Sequence, residues 1–511
     1  MILKSQIREY MQRPLRDLSV MKRWSLRKID RKLAELDPLP VFITTPRRHQ
    51  KICFYIIAKL PHDLQLLDMG LGKTKLVLDA FRWFKTAGRM RRLLVLVPAV
   101  INLEAWRDEI KKHAPDLMAS YIEGTPAERE RALNDSTDIC IATYSGLSHL
   151  VCTRAMRDDK TKMTIDKKKL ATLRKRFDGV IWDECNALMN HRSLNFKIAN
   201  QLAKNYVMRI GLTGTPLGRD PQVLWPQYFA VDRGEALGET LGMFRQAFFR
   251  AKPKFWGGTD YQFRAKLTGK LHKMMAHSAI TYSSAECLDL PKAVDVKRPV
   301  RMTDEQWSYY HAVLEKAQEA RGLKMIDLEG VFVRLRQITS GFVSVDRKPS
   351  PLAANPKLDG LMELVDELPK NEKVVIFHDF IFSGDQISQA LAARKIKCAR
   401  LYSKVRNKAA ELRKFNGDPK CRAFVVNSAS GAQGLNLQVA RFVMYYEYPV
   451  PVRIYQQSRR RCLRQGQERT VFLYGMFCRH TVDEKIMQFL AEGRDLFRAV
   501  VEGGVNVLQT R

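Results

Sequence analysis

A chain of 511 residues with 45% hydrophobic content has room for roughly three domains, which excludes a short disordered or disulfide-stapled peptide. A formal net charge of +33 excludes an ordinary neutral globule and points to a polyanionic partner, a phosphate backbone being the commonest, with a merely solvated basic surface as the plainer alternative. Nine cysteines with no C-x-x-C pair and no histidine at ligand spacing are read as reduced thiols without structural zinc; with no long apolar run and no signal core, a soluble intracellular protein is expected.

Residues 1–40 form a basic extension in which Arg13, Arg16, Lys22, Arg23, Arg27, Lys28, Arg31 and Lys32 alternate with Leu, Met, Trp24 and Ile29. It reads equally as a helix lying on a domain or on phosphate and as a solvated leader. After Pro46, Gln50 stands where a loop enters a helical pattern, and its amide offers both the donor and the acceptor that the edge of adenine requires. Leu66 and Leu67 then end an apolar run that turns through Asp68-Met69-Gly70-Leu71-Gly72 into Lys73-Thr74. Glycines let backbone N–H groups converge on phosphate oxygens, the following helix turns its positive end toward them, Lys73 reaches the β/γ-phosphates, and the Thr74 hydroxyl can coordinate magnesium. The usual phosphate-loop pattern has Gly or Ala where this chain has Leu67, and an ordinary glycine turn is the alternative.

Downstream, apolar positions predict a helix to Gly88, a buried strand over 92–98, a helix over 103–113 and a strand over 138–144. The Lys/Arg-rich 153–176 stretch is a surface excursion, and 179–182 is a strand running straight into Asp183-Glu184. Strand–helix alternation predicts a parallel α/β sheet with ligands at the carboxyl ends of its strands. An acid pair there suits a magnesium-holding Asp and a water-polarising Glu. Another strand, 207–212, ends in Thr213-Gly214-Thr215-Pro216, whose hydroxyls can bond the acid pair or make a plain turn.

From Pro221 to about Ala354 the sheet rhythm fades. Phe244 to Lys266 interleaves aromatic and basic residues, fitting either phosphate and base contact or helix packing, and 325–340 is helical. Strands resume at 373–377, 398–401, 423–426, 442–446 and 471–474, a second α/β lobe with no phosphate loop of its own. Gly434-Leu435-Asn436-Leu437 follows a Ser/Gly-rich turn, and Gln457 opens a run in which Arg461 and Arg464 share one helix face. Fixed guanidinium pairs suit charge growing on a phosphoryl group.

Taken in order, these segments resemble the SWI/SNF-like branch of superfamily 2 helicases and translocases over about 45–490. The residues bearing the likeness are Gln50, Asp68 to Thr74, Leu96-Val97-Pro98 with Trp106, Ala142-Thr143-Tyr144, Asp183-Glu184, Leu212 to Pro216, Gly434 to Leu437, and Gln457 to Gln467. Three positions depart from the branch: Asn186 replaces a usual His, Arg219 stands near a usual Asn, and Glu447 replaces a usual Asp. None removes a phosphate, magnesium or water-positioning group. The compact form, Leu224 to Phe249 in particular, resembles versions carried by bacteriophages and mobile elements.

The resemblance implies two RecA-like parallel-sheet lobes with a helical insertion between them, in a bacterial host cytoplasm. The expected boundaries are a basic extension 1–40, lobe 1 at 41–250, the helical and basic insertion 251–354, lobe 2 at 355–495, and a tail 496–511. ATP and Mg2+ are the implied cofactors. Nucleotide binding falls to Gln50, Met69, Gly70, Leu71, Gly72, Lys73, Thr74, Gly434 and Gln457, metal binding to Thr74 and Asp183, and catalysis to Glu184, Asp183, Lys73, Arg461 and Arg464. The implied activity is an ATPase monomer translocating on duplex or branched DNA without reading bases, RNA being the lesser partner, with no membrane and an unidentified protein partner allowed for. A strand-separating helicase and a non-catalytic nucleic-acid scaffold are the alternatives.

Overall fold

The structure, a computed structural model, describes residues 4–493 other than 158–159, 215–219, 254–257, 289–292, 320–324, 347, 403–404, 406, 432–434 and 464–466. The chain divides into two compact units, Met1–Leu288 and Asp289–Arg511, each built on a parallel sheet.

The first unit's sheet has seven strands: β1 (His62–Leu67), β2 (Leu93–Val97), β3 (Ala119–Ile122), β4 (Ile139–Thr143), β5 (Gly179–Asp183), β6 (Met208–Leu212) and β7 (Ala279–Tyr282). They lie in the order β7-β1-β6-β5-β2-β4-β3, every neighbouring pair parallel. Period-2 alternation sends Leu94, Leu96, Val180 and Trp182 into one hydrophobic cluster and Leu93, Val95, Val97 and Ile181 into another on the opposite face. Both faces are covered, which is why these strands read as unbroken apolar runs. Each large apolar side chain buried this way contributes about 1.5–3 kcal/mol relative to exposure.

Helix Lys73–Thr86 packs on the second cluster through Leu76, Val77, Phe81 and Phe84, and Leu18, Ile29, Leu33 and Leu36 of the N-terminal segment join the same cluster. The basic extension thus lies on the domain by its apolar positions, with Lys51 and Asp30 paired at 2.6 Å where helix Leu26–Ala34 meets helix Arg48–Lys59. The Lys/Arg-rich excursion is an antiparallel hairpin, Cys152–Arg157 with Lys160–Ile165, followed by helix Lys167–Arg174.

The second unit's sheet comprises β8 (Ala293–Val300), β9 (Val374–His378), β10 (Cys398–Leu401), β11 (Ala423–Asn427), β12 (Phe442–Tyr445) and β13 (Val471–Cys478), in the order β8-β13-β12-β9-β11-β10 and all parallel. One face packs Val374, Ile376, Val425 and Met444 against Leu361, Val365, Ile387 and Leu391 of the flanking helices. On the other face Phe377 stacks on Tyr445 with ring centroids 5.2 Å apart. The 251–354 stretch carries helices Asp304–Glu319 and Met325–Thr339 as expected, and also supplies the edge strands β7 and β8, one to each sheet.

Among the described residues no helix is long and apolar enough to cross a membrane, and all nine cysteines are unpaired.

Candidate nucleotide site

At the carboxyl edge of the first sheet, β6 lies between β1 and β5, and Leu212 is in register with both Gln65 and Asp183. The loop after β1, the Thr213-Gly214 turn and the Asp183-Glu184 pair are therefore neighbours in space. Gly70 (φ +84°) and Gly72 (φ +75°) occupy the left-handed region, so the loop needs glycine at both positions before helix Lys73–Thr86 can start. Lys73 Nζ donates to the Leu67 carbonyl at 2.8 Å, folded back along its own loop. Leu67 itself is the fully buried last residue of β1, paired with Tyr282 of β7. A Cβ at Gly214 would lie 3.1 Å from the Leu67 carbonyl oxygen and 3.4 Å from Asp68 Cα, so the small residue that this crowding demands sits on the adjacent turn.

The Asp183 carboxylate accepts a hydrogen bond from Trp106 Nε1 at 2.9 Å, and its backbone carbonyl accepts from the Tyr144 hydroxyl at 3.0 Å. Burial and the adjacent Glu184 charge push Asp183 up to about 6, against the opposing pull of Trp106 and Lys73. Glu184 adopts φ +47°, ψ +60°, a left-handed conformation costing a residue with a Cβ on the order of 1–2 kcal/mol. Its Oε2 accepts from Thr213 Oγ1 at 3.2 Å and from Asn186 Nδ2 at 3.4 Å. Cys185 points the other way, is fully buried, and donates its thiol to Gln227 Oε1 at 3.6 Å; burial raises its pKa far out of the physiological range.

Gln50 sits behind the loop. Its Oε1 accepts from Arg47 N at 2.9 Å and its Nε2 donates to the Leu71 carbonyl at 3.1 Å, a carbonyl that His49 Nε2 also meets at 3.0 Å. A second tie comes from the strand at the sheet edge: Ser284 N donates to Asp68 Oδ2 at 2.9 Å and Asp68 N to the Tyr282 carbonyl at 3.0 Å. The N-terminal segment closes the ring. Arg48 Nε donates to the Trp24 carbonyl at 2.9 Å, and Lys22 pairs with Glu286 at 2.7 Å.

In the second unit, Gln457 and Arg461 are both buried on helix Val452–Cys462, and Leu437 N donates to the Arg461 carbonyl at 3.2 Å, tying the Leu435–Leu437 segment to that helix. Gln467 Nε2 donates to the Gln438 carbonyl at 2.9 Å, a second tie between the two motifs. Gly434, Arg464, Gln465 and Gly466, like Thr215, Pro216, Arg219 and the 254–257 part of the aromatic and basic stretch, lie outside the described residues. Glu447, at the end of β12, accepts from Asp379 N at 2.6 Å, from Phe380 N at 3.2 Å and from Ser383 Oγ.

A family model described as the SNF2-related domain matches residues 65–344, and one described as the helicase conserved C-terminal domain matches residues 356–466. The chain belongs to the SNF2 family. It carries an SNF2-family ATP-dependent helicase core. It is 23% identical over 455 residues to an ATP-dependent helicase of Mycoplasma genitalium, covering 87% of this chain and 40% of that one. It is 24% identical to the mouse chromodomain-helicase-DNA-binding protein 1-like, covering 86% and 47%. This SNF2 chain thus spans about half the length of the first of its curated relatives. With protein p41 of Acyrthosiphon pisum secondary endosymbiont phage 1 it shares 24% identity over 87% of this chain and 95% of that one. Among solved structures, the Sulfolobus solfataricus SWI2/SNF2 ATPase core in complex with dsDNA aligns over 92% of this chain and 95% of its own with 23% identity and a TM-score of 0.41.

Whether this SNF2 site suits magnesium is tested by its donor set. Among the described residues no group of three or more His, Cys, Asp or Glu side chains forms a protein-only metal cage. A hard cation that retains waters takes one or two protein oxygens together with substrate phosphates and needs no such cage. Asp183 offers a carboxylate, and the part-exposed Thr74, in the first turn of the helix after the loop, offers a hydroxyl, the hard oxygen donors such an ion takes. The residues fit the ion.

The sequence already allowed the Thr213 hydroxyl to bond the acid pair, and it meets Glu184; Trp106 was singled out without showing that it holds Asp183. Sequence reasoning did not find Ser284, 216 residues from the Asp68 it bonds. A capping-box pattern at Ser283–Glu286 was the available signal there, and it marks a helix start, not a partner.

Proposed function

We propose that this chain hydrolyses ATP to translocate on duplex or branched DNA without sequence specificity. The observation that carries the reading is the assembly, along one sheet edge, of Lys73, Thr74, Asp183 and a Glu184 whose carboxylate is already oriented by Thr213 and Asn186. On this reading Lys73 leaves the Leu67 carbonyl for the β/γ-phosphates, joined by the N–H groups of the loop and first helical turn. Thr74 and Asp183 would hold magnesium, which when bound would supply positive charge to offset and polarise the phosphates. Glu184 accepts the proton of the attacking water, and Arg461 and Arg464 of the second unit stabilise charge on the transferred phosphoryl group. Gln457 and Gly434 belong to the same nucleotide-binding set. Alternating closure and reopening of the lobes then moves the protein along phosphates.

The +33 charge supports a polyanionic track, and a DNA-binding relative favours DNA over RNA. The test is phosphate release at fixed salt with duplex, single-stranded and forked DNA and with RNA. Turnover should rise most with duplex or forked DNA and vanish in Lys73→Ala; absence of DNA stimulation, or turnover that survives Lys73→Ala, would sink the reading. Displacement of a triplex strand without duplex unwinding separates translocation from strand separation.

A further inference from the structure

The Lys/Arg-rich excursion is not absorbed by the nucleotide site. Over 153–176 the chain has ten basic residues and three acids, Asp158, Asp159 and Asp166, of which Asp166 is spent capping helix Lys167–Arg174 through the backbone N–H groups of Lys168 (2.9 Å) and Lys169 (3.1 Å). That helix, with helices Pro126–Asn134 and Tyr144–Val151, walls a groove of about 780 Å³. Its floor is aliphatic, made by Leu133, Leu150, Val151 and Leu173 at the outer surface of the first unit's core. Its rim carries Arg129, His149, Lys168, Lys169 and Arg176, with Glu130 the one acid. Arg129 is held by the Gly124 carbonyl at 2.9 Å and Arg176 by the Leu133 carbonyl at 3.3 Å, so two guanidinium groups are fixed in place. The exposed Lys168 and Lys169 side chains make no ion pair among the described residues.

We propose that this groove docks an acidic amphipathic helix of a partner protein. Apolar residues at i, i+3, i+4 and i+7 would seat on the Leu133–Leu150–Leu173 floor, and flanking carboxylates would meet Lys168, Lys169 and the two arginines. Charge and hydrophobicity decide between protein and nucleic acid. A phosphate backbone would satisfy the rim but leave the aliphatic floor wet, and among the described lining residues His149 is the one aromatic ring, with no Phe, Tyr or Trp to stack a base. A helix with one apolar face and carboxylates on both flanks satisfies floor and rim together. None of the lining residues belongs to the nucleotide motifs, so the proposal stands whether or not the chain hydrolyses ATP.

The test uses the full chain at near-physiological salt with a fluorescein-labelled Leu/Glu peptide of about sixteen residues, patterned as an amphipathic helix, and a scrambled peptide of the same composition. The patterned peptide should bind at least about tenfold tighter than the scrambled one. Binding should fall by about tenfold or more in Lys168→Glu/Lys169→Glu and separately in Leu150→Asp, with circular dichroism showing the fold intact. Hydrogen exchange should slow in the three helices that wall the groove. Equal binding of the two peptides overturns the proposal, because charge alone then explains it. So does unchanged affinity in both variants, or protection of the groove helices by a duplex or single-stranded oligonucleotide but not by the patterned peptide.

Discussion

The two parallel sheets end their strands in opposite ways. In the first unit, β1 and β5 terminate in a loop and an acid pair whose carboxylates are held by Trp106, Thr213 and Asn186 and which, on the proposed reading, serve a nucleotide. In the second, the carboxylate at the end of β12, Glu447, is used up inside the protein: it takes the backbone N–H groups of Asp379 and Phe380, where helix Ile381–Ala393 begins, and the Ser383 hydroxyl. Arg336 extends that brace, bonding Asp379 at 2.6 Å and the Tyr448 carbonyl at 2.9 Å. On the proposed reading, the same architecture would make a ligand site where the helix N-terminus is left for a foreign anion, and it makes a strut where the chain supplies its own.

That contrast can be broken experimentally. The largest expected effect is Lys73→Ala, which should lower DNA-stimulated phosphate release by about 10³-fold or more while leaving the urea midpoint nearly unchanged, since a functional end carries no structural weight. Glu447→Ala should do the reverse, costing about 2–4 kcal/mol in urea unfolding because one buried and two part-buried donors lose their acceptor. If it instead left stability intact, the strut description would be wrong. Smaller is the effect of Asn186→Ala or Thr213→Val, each expected to reduce kcat by about tenfold with KM for ATP unaltered, read from steady-state turnover. An equal rise in KM would mean that these residues shape the loop and not the Glu184 carboxylate.

Smallest is a pH effect. Asp183 titrates near 6 when folded and about 4 when unfolded, so folding favours its protonated form. The stability it contributes is full below about pH 4 and lost as pH rises through 6. In nucleotide-free protein, the urea midpoint should fall relative to that of Asp183→Asn over this window. Asp232, raised to about 6 by burial, and Asp63 and Asp79, also raised by burial, pull the same way in both proteins, while buried histidines such as His49 and His378, lowered by burial, pull the opposite way.

Strands buried on both faces were legible because nothing but apolar residues fits there. Gly179–Asp183, Met208–Leu212 and Val374–His378 lie within a residue of their expected places. Of the four edge strands, β10 was legible and three were not. In β8 only Val296 and Val300 are even half-buried, so no apolar run marks it, and β3 and β7 are only four residues long. Within the site, residue types announced the chemistry but not the supports. Trp106 and Asp183 are 77 positions apart, and only the packing of helix Val100–His113 on the sheet brings indole to carboxylate. The N-terminal extension was ambiguous for a related reason: its charges are exposed and conspicuous, while the apolar residues that dock it are divided between two clusters, Tyr10 on one and Leu18, Ile29, Leu33 and Leu36 on the other.

The anchoring of Gln50 bears on which base this protein would accept. A free glutamine amide can turn over by 180°, exchanging its oxygen and nitrogen, and so can meet an amino group or a carbonyl at the same point in space. Here Arg47 N holds the oxygen and the Leu71 carbonyl holds the nitrogen, so the exchange would break two hydrogen bonds at once. One lone pair and one N–H remain, in a set order. That order can match the donor at the 6-position of adenine or the acceptor at the 6-position of guanine, but not both. Discrimination between purine triphosphates would therefore come from a side chain forbidden to flip, and it would be lost, with little loss of phosphate affinity, if the Arg47–Gln50 bond were released.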